Sequence, residues 1–200
     1  ALTDYKPKTP LRVYTADKVL IGEFGEERRK VIPLNEIPLS MRNAVLAIED
    51  DRFYSHGGVD YVGILRAAAT NLRGHLSQGA STITMQVARN FFLSNEKTFS
   101  RKIYEVLLAW EIESQLTKDK ILEIYMNQIF LGQRAFGFSS AAQIYFGKDL
   151  KDITIAESAM LAGLPKAPSA YNPVTNFKRA KVRQEYILQR MRDLGYISNE

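Results

Sequence analysis

Cysteine is absent from these 200 residues, which excludes disulfides, thiolate catalysis and cysteine-held metals. Histidine is scarce. Only His56 and His75 occur, too few for a histidine-built zinc site. No apolar run is long enough to cross a bilayer, and no signal peptide is visible. A Gly-x-Gly-x-x-Gly phosphate loop is missing, as is any alternation of strand and helix segments, so a doubly wound nucleotide-sugar enzyme is disfavoured. Internal repeats and low-complexity stretches are also lacking. What remains is an ordinary apolar share of 46%, enough for one domain core, and an excess of positive charge. The net charge of +5 and pI near 9.3 call for an anionic partner. The basic residues form no aromatic-interleaved stripe, which argues against nucleic acid.

The patterning predicts a mainly α chain with a small β element at its start. Leu11 to Tyr14 and Val19 to Phe24 alternate as short strands. Helical periodicity begins after Pro33. Pro38 and Ser40 open a helix to about Glu49, and Asp60 caps a second from Tyr61 to about Leu76. Ser81 is expected to cap a third from Thr82 to about Phe92, and Ser100 a fourth from Arg101 to about Leu116. Thr117 opens a fifth that ends near Leu131, before Gly132. Ser139 to Phe146, Ile155 to Leu164 and Phe177 to Leu194 complete the set. Asn95 to Thr98 and Gln133 to Gly137 are expected to be mobile loops. One domain is expected over 1–200, with a lead-in over 1–38 and a core over 39–194. The abrupt ends at Ala1 and Glu200 read as those of a fragment.

Five blocks stand out along the chain. The first, Glu49-Asp50-Asp51-Arg52-Phe53-Tyr54-Ser55-His56-Gly57-Gly58-Val59-Asp60, puts three carboxylates, an arginine, aromatics and a histidine at the end of an apolar helix. An acid or base beside apolar side chains can have its pKa tuned. The bland alternative is an acidic helix terminus. The second, Gln78 to Asn90, leads small residues and the hydroxyls of Ser81 and Thr82 into a helix start suited to an anion. Gln86 and Asn90 share a face there, with Arg89 one position off that line. The third, Arg101 to Glu113, places Glu105 at the end of an apolar stripe with Leu108 and Ile112, so it is more than half of a surface pair with Arg101. The fourth, Lys118 to Gly132, holds Asn127 among apolar positions, where its amide must find partners. The fifth, Ala156 to Pro173, is a small-residue helix running into a proline-rigid loop and reads as packing.

In this order and spacing the five blocks resemble the peptidoglycan glycosyltransferase domain, the polymerising module of class A penicillin-binding proteins and their monofunctional relatives. The match runs from about Leu39 to Leu194. The resemblance implies a lysozyme-like large helical lobe and a small membrane-apposed lobe. It also implies a parent anchored at the outer face of the bacterial cytoplasmic membrane. The implied reaction joins lipid II to a growing glycan strand. Glu49 is then the general base and Glu105 the second carboxylate on the leaving-group side. Asp50, Arg52, Phe53, His56, Ser81, Thr82, Gln86, Arg89, Asn90, Arg101, Lys102 and Asn127 become substrate-binding residues, with the cations facing the pyrophosphate. No protein-held metal is implied, though a divalent cation such as Mg2+ is compatible with the leaving group. Phosphoglycolipids of the moenomycin type become expected inhibitors. Within Tyr61 to Leu76, the stripe Val62, Leu65, Ala69, Leu72 and Leu76, flanked by Arg66 and Arg73, fits an interfacial helix, the alternative being a core-facing helix with solvated arginines. The rival from another class is a lysozyme-like glycan hydrolase, which has no diphosphate to hold with such cations. A catalytically dead lipid II-binding module is disfavoured by the presence of both glutamates.

Overall fold

Eight α-helices carry the described chain: α1 (Leu39–Glu49), α2 (Tyr61–Asn71), α3 (Ile83–Phe92), α4 (Phe99–Gln115), α5 (Lys118–Gln128), α6 (Phe138–Phe146), α7 (Ile155–Ala162) and α8 (Phe177–Asp193). The computed structural model describes residues 11–14, 20–24, 28–29, 31–71, 81–92 and 99–198. Of these, 11–14, 20–24, 28–29, 67–71, 91–92 and 99–100 are described by backbone alone. The mainly α expectation holds. Strands β1 (Leu11–Tyr14) and β2 (Leu20–Phe24) pair antiparallel, Leu11 opposite Phe24, with an irregularity at Val13 and Tyr14.

The chain divides into two compact units, Ala1–Ala44 with Met126–Glu200, and Val45–Tyr125. In the first, α7 packs on α8, and Phe138, Leu161, Ala180, Ile187 and Met191 are buried. Strand β3 (Arg28–Arg29) pairs in parallel with β4 (Ala135–Phe136). Gln133 to Gly137, expected to be mobile, is therefore partly a strand. Leu131 N–H also donates to Ala135 O, and Ala135 N–H to Gly132 O. The fifth helix stops at Gln128, short of Leu131. Gly132, Gln133 and Arg134 then take positive φ in succession, which a helix cannot continue through. Asn127 is buried, and its amide pairs both ways with the Ile32 backbone, at 2.8 and 2.7 Å. Gly137 has φ +80, and a Cβ there would drive into the Asn127 carbonyl oxygen.

In the second unit α3 packs on α4, with Val59, Met85 and Ala109 in one apolar cluster. The second helix starts as expected: Asp60 Oδ1 accepts from Gly63 N–H at 3.0 Å. The third starts one residue later than expected, and Thr82 rather than Ser81 caps it. The Thr82 hydroxyl accepts from Met85 N–H at 3.1 Å and donates to Gly58 O at 2.6 Å. The fourth begins at Phe99, so Ser100 lies inside it. Asn95 to Thr98, Leu72, Arg73, His75 and Leu76 lie outside the described residues.

Candidate active site

The apolar face of α1 sets where its acidic end falls. Val45, Leu46 and Ala47 are buried, so Glu49 closes the helix with its side chain only half-exposed. Its Oε2 accepts a hydrogen bond from Gln86 Nε2 at 2.9 Å. The other end of that amide, Gln86 Oε1, accepts from the Tyr125 hydroxyl at 3.2 Å. Tyr125 is fully buried, and burial pushes its phenol well above the ordinary tyrosine value. The negative charges of Glu49 and Asp50 push the same way, while Arg89 opposes them. Glu49, Gln86, Arg89 and Tyr125 therefore share one neighbourhood, reached from α1, α3 and α5.

Asp50 is buried, and its role differs from that of its neighbour. Its Oδ2 accepts from Ile83 N–H at 3.0 Å, the first residue of α3. The same carboxylate meets His56 Nε2 at 2.8 and 2.9 Å. Gly58 N–H donates to His56 Nδ1 at 3.1 Å. A nitrogen that accepts carries a lone pair, so the ring proton is on Nε2 and is donated to Asp50. A negative side chain and the Thr82 cap thus already occupy backbone N–H groups at the start of α3. That helix start, read in the sequence as an anion site, is held by the protein itself. The lock fixes the rotation of α3, and one turn on it presents Gln86 to Glu49.

Glu105 is the second buried carboxylate, with 1% of its side chain exposed. Lys102 Nζ donates to its Oε2 at 3.1 Å, and Arg101 Nε lies 3.4 Å from its Oε1. Lys102 also donates to Ser81 Oγ at 2.8 Å. Ser81, Arg101, Lys102 and Glu105 form a second group beside the start of α3. Burying Glu105 is tolerable because both oxygens meet cations. No group of three His, Asp or Glu residues able to hold a metal ion occurs among the described residues.

Of the other residues singled out in the sequence, Phe53 is buried beneath Lys118 Nζ, 4.5 Å from its ring centre. Arg52 pairs with Asp60 at 3.3 Å. Asn90 is exposed on α3. Asn127 belongs to the other unit, where it holds Ile32. Sequence reasoning passed over Tyr125, Thr84 and Glu113. Thr84 donates to Glu113 Oε1 at 2.6 Å, and Lys118 donates to the same oxygen at 2.7 Å. For Tyr125 a signal existed: a hydroxyl among the apolar positions Ile121, Leu122 and Met126. For Glu113 and Lys118, five apart across a helix break, none did.

A protein-family model described as Transglycosylase matches residues 17–192. Penicillin-binding protein 1A of Neisseria lactamica is 61% identical over 192 residues, covering 96% of this chain and 24% of that protein. The chain thus spans about a quarter of the length of such relatives. A Cupriavidus necator protein bearing the provisional name transglycosylase is 64% identical over 167 residues, 84% of this chain and 72% of its own. The crystal structure of penicillin-binding protein 1A from Haemophilus influenzae superposes with a TM-score of 0.54 at 32% identity, over 98% of this chain and 20% of that one.

Proposed function

We propose, for a chain that belongs to the Transglycosylase family, that Glu49 and Glu105 divide the labour of a glycosyl transfer to a lipid-linked acceptor. The chain is a peptidoglycan glycosyltransferase domain of the class A penicillin-binding protein kind. The proposed reaction extends a glycan strand with lipid II. The acceptor's 4-hydroxyl gives its proton to Glu49 as its oxygen attacks the donor's anomeric carbon. The bond from that carbon to the undecaprenyl pyrophosphate breaks on the opposite face, so the configuration inverts to a β-1,4 link. The diphosphate leaves as a stable anion and needs positive charge more than a proton. Arg101 and Lys102, held together by Glu105, supply it, and Arg89 adds to it. We assign no step to a divalent cation.

One observation carries this reading: a half-buried carboxylate held by an amide of α3, and a fully buried one flanked by two cations and linked through Lys102 to Ser81, just before α3. A hydrolase of uncharged sugar links has no use for the second group. The substrate's polyprenyl tail places the work at a membrane surface, on the outer face of the cytoplasmic membrane. No helix among the described residues is long and apolar enough to cross a membrane. Contact there falls to exposed apolar side chains: Tyr61, Val62, Ile64 and Leu65 on α2, and Ile103, Tyr104, Leu107 and Trp110 on α4. The test is polymerisation of labelled lipid II. Glu49→Gln keeps the shape and removes the base, with an expected loss of ~10²–10⁴ in rate and an unchanged melting temperature. Polymer made by that variant at near wild-type rate would falsify the assignment.

A further inference from the structure

We propose that Tyr125 and Gln86 are a positioning pair for Glu49, the phenol setting the amide and the amide setting the carboxylate. The proposal rests on the reading of Glu49 as the base. A glutamine amide has two orientations of similar shape and opposite charge pattern. With N–H toward Glu49 it steadies a carboxylate. With C=O toward Glu49 it repels one. Nothing about Gln86 alone decides between them. Tyr125 reinforces the first orientation from the far side, donating its hydroxyl to Oε1 at 3.2 Å while Nε2 stands 2.9 Å from Glu49 Oε2, itself an acceptor. A phenol offers one proton, and with Gln86 Oε1 as its acceptor the N–H end is turned onto the carboxylate.

The setting keeps this chain of donors fixed. Tyr125 is buried, and burial together with the negative charge of Glu49 and Asp50 keeps the phenol protonated, against the pull of Arg89. A phenol that keeps its proton can go on donating it to Gln86 Oε1. Gln86 is itself buried, with Thr84, Met85, Val87 and Ala88 buried around it on α3. The helix that carries it is locked at its start by Asp50 and Thr82. The whole arrangement lies within Val45–Tyr125. Gln86 in this geometry serves the base, where the family resemblance assigns it to the substrate.

The experiment is lipid II polymerisation by the Tyr125→Phe, Gln86→Leu and doubly substituted proteins, measured from acid to alkaline pH. Tyr125→Phe is expected to lower kcat about tenfold to a hundredfold, in line with a small displacement of a reacting group, with KM unchanged. A hydrogen bond donated to a carboxylate favours its charged form. Weakening it raises the pKa of the base, so the acid limb of the kcat profile should move to higher pH. Gln86→Leu should do the same, and adding Tyr125→Phe to it should cost nothing more. Wild-type kcat and an unmoved acid limb in Tyr125→Phe overturn the proposal. So do fully additive losses in the double variant, or a Gln86→Leu variant with raised KM and wild-type kcat. If circular dichroism shows that Tyr125→Phe does not fold, the same split in Gln86→Leu decides. An active Glu49→Gln variant overturns the base itself. An inactive one beside an unaffected Tyr125→Phe overturns only the pair.

Discussion

Lys102 has three donors and a short list of demands on them. One goes to Glu105 and one to Ser81, while about half of the side chain remains exposed. A diphosphate can take the third without disturbing the other two. Charge-assisted contacts of this sort are worth about 1.5–3 kcal/mol. Lys102→Ala should therefore weaken binding of a moenomycin-type phosphoglycolipid by roughly ten- to 150-fold, on the conversion of 1.4 kcal/mol per tenfold. It should slow polymerisation as well, and inhibitor affinity equal to wild type would remove Lys102 from the diphosphate's neighbourhood. Gly137 makes a different kind of demand. Its φ of +80 and the Asn127 carbonyl behind it leave no room for a Cβ. Gly137→Ala must shift backbone rather than a flexible side chain, so a drop in melting temperature is expected by differential scanning calorimetry, with a destabilisation of about 1–3 kcal/mol.

Helix ends were the hardest elements to place from sequence, and the reason is physical. Apolar periodicity marks a helix body, whereas its first residue depends on which hydroxyl or carboxylate reaches the exposed N–H groups. Ser81 and Thr82 are equally good caps on paper. The structure chooses Thr82 because its hydroxyl can also donate to Gly58 O, and Ser81 is drawn away to Lys102. Asp50 at the start of α3 comes from 33 residues away, beyond any local pattern. The mainly α architecture, the Asp60 cap and the burial of Glu105 were legible, because each follows from spacing on one helix. The pairing of Glu49 with Gln86 was not, since it crosses between helices. The start of α7 tests the same chemistry in isolation. Thr154 and Glu157 form a reciprocal cap, and Lys148 Nζ donates to Glu157 at 2.7 Å. The Lys148 hydrogen bond chiefly holds the Glu157 carboxyl below its usual range, with Thr154 adding to it and partial burial opposing it. A lowered folded pKa adds stability above the ordinary glutamate value and loses it as pH falls through the folded one. Thr154→Ala should cost about 0.5–2 kcal/mol at pH 7, and most of that cost should persist in acid because the lost backbone cap does not titrate. Glu157→Gln keeps the cap and removes the charge, so its smaller deficit should be present at pH 7 and vanish in acid, as urea melts at the two pH values would reveal.

At the scale of the whole molecule, the proposed polyprenyl-linked substrate cannot leave the bilayer, so the site would have to come to the membrane, and the surface of Val45–Tyr125 is suited to that. Leu65 on α2 is 71% exposed. Val62, one turn before it, is also exposed, and Arg66 stands beside them, 3.7 Å from Asp51. A core-facing α2 would have buried Val62 and Leu65. Their exposure favours the interfacial reading of the apolar stripe over the core reading, for the part of it that is described. On α4, Lys102 borders a shallow apolar groove formed with Ile103, Val106, Leu107 and Trp110. Cations beside exposed apolar side chains suit anionic head groups with acyl chains beneath. Moving a Leu or Val side chain from water into the interface is worth up to about 1.5–3 kcal/mol. Partial insertion delivers less, so each substitution should weaken binding by about tenfold at 1.4 kcal/mol apiece. The doubly substituted protein, Val62→Ser with Leu65→Ser, is accordingly expected to co-sediment with phosphatidylglycerol vesicles about a hundredfold more weakly. Because both positions are exposed, helix content and melting temperature should not change. Wild-type sedimentation by the folded double variant would move the contact off α2, and the same substitutions at Ile103 and Leu107 would then decide whether α4 carries it.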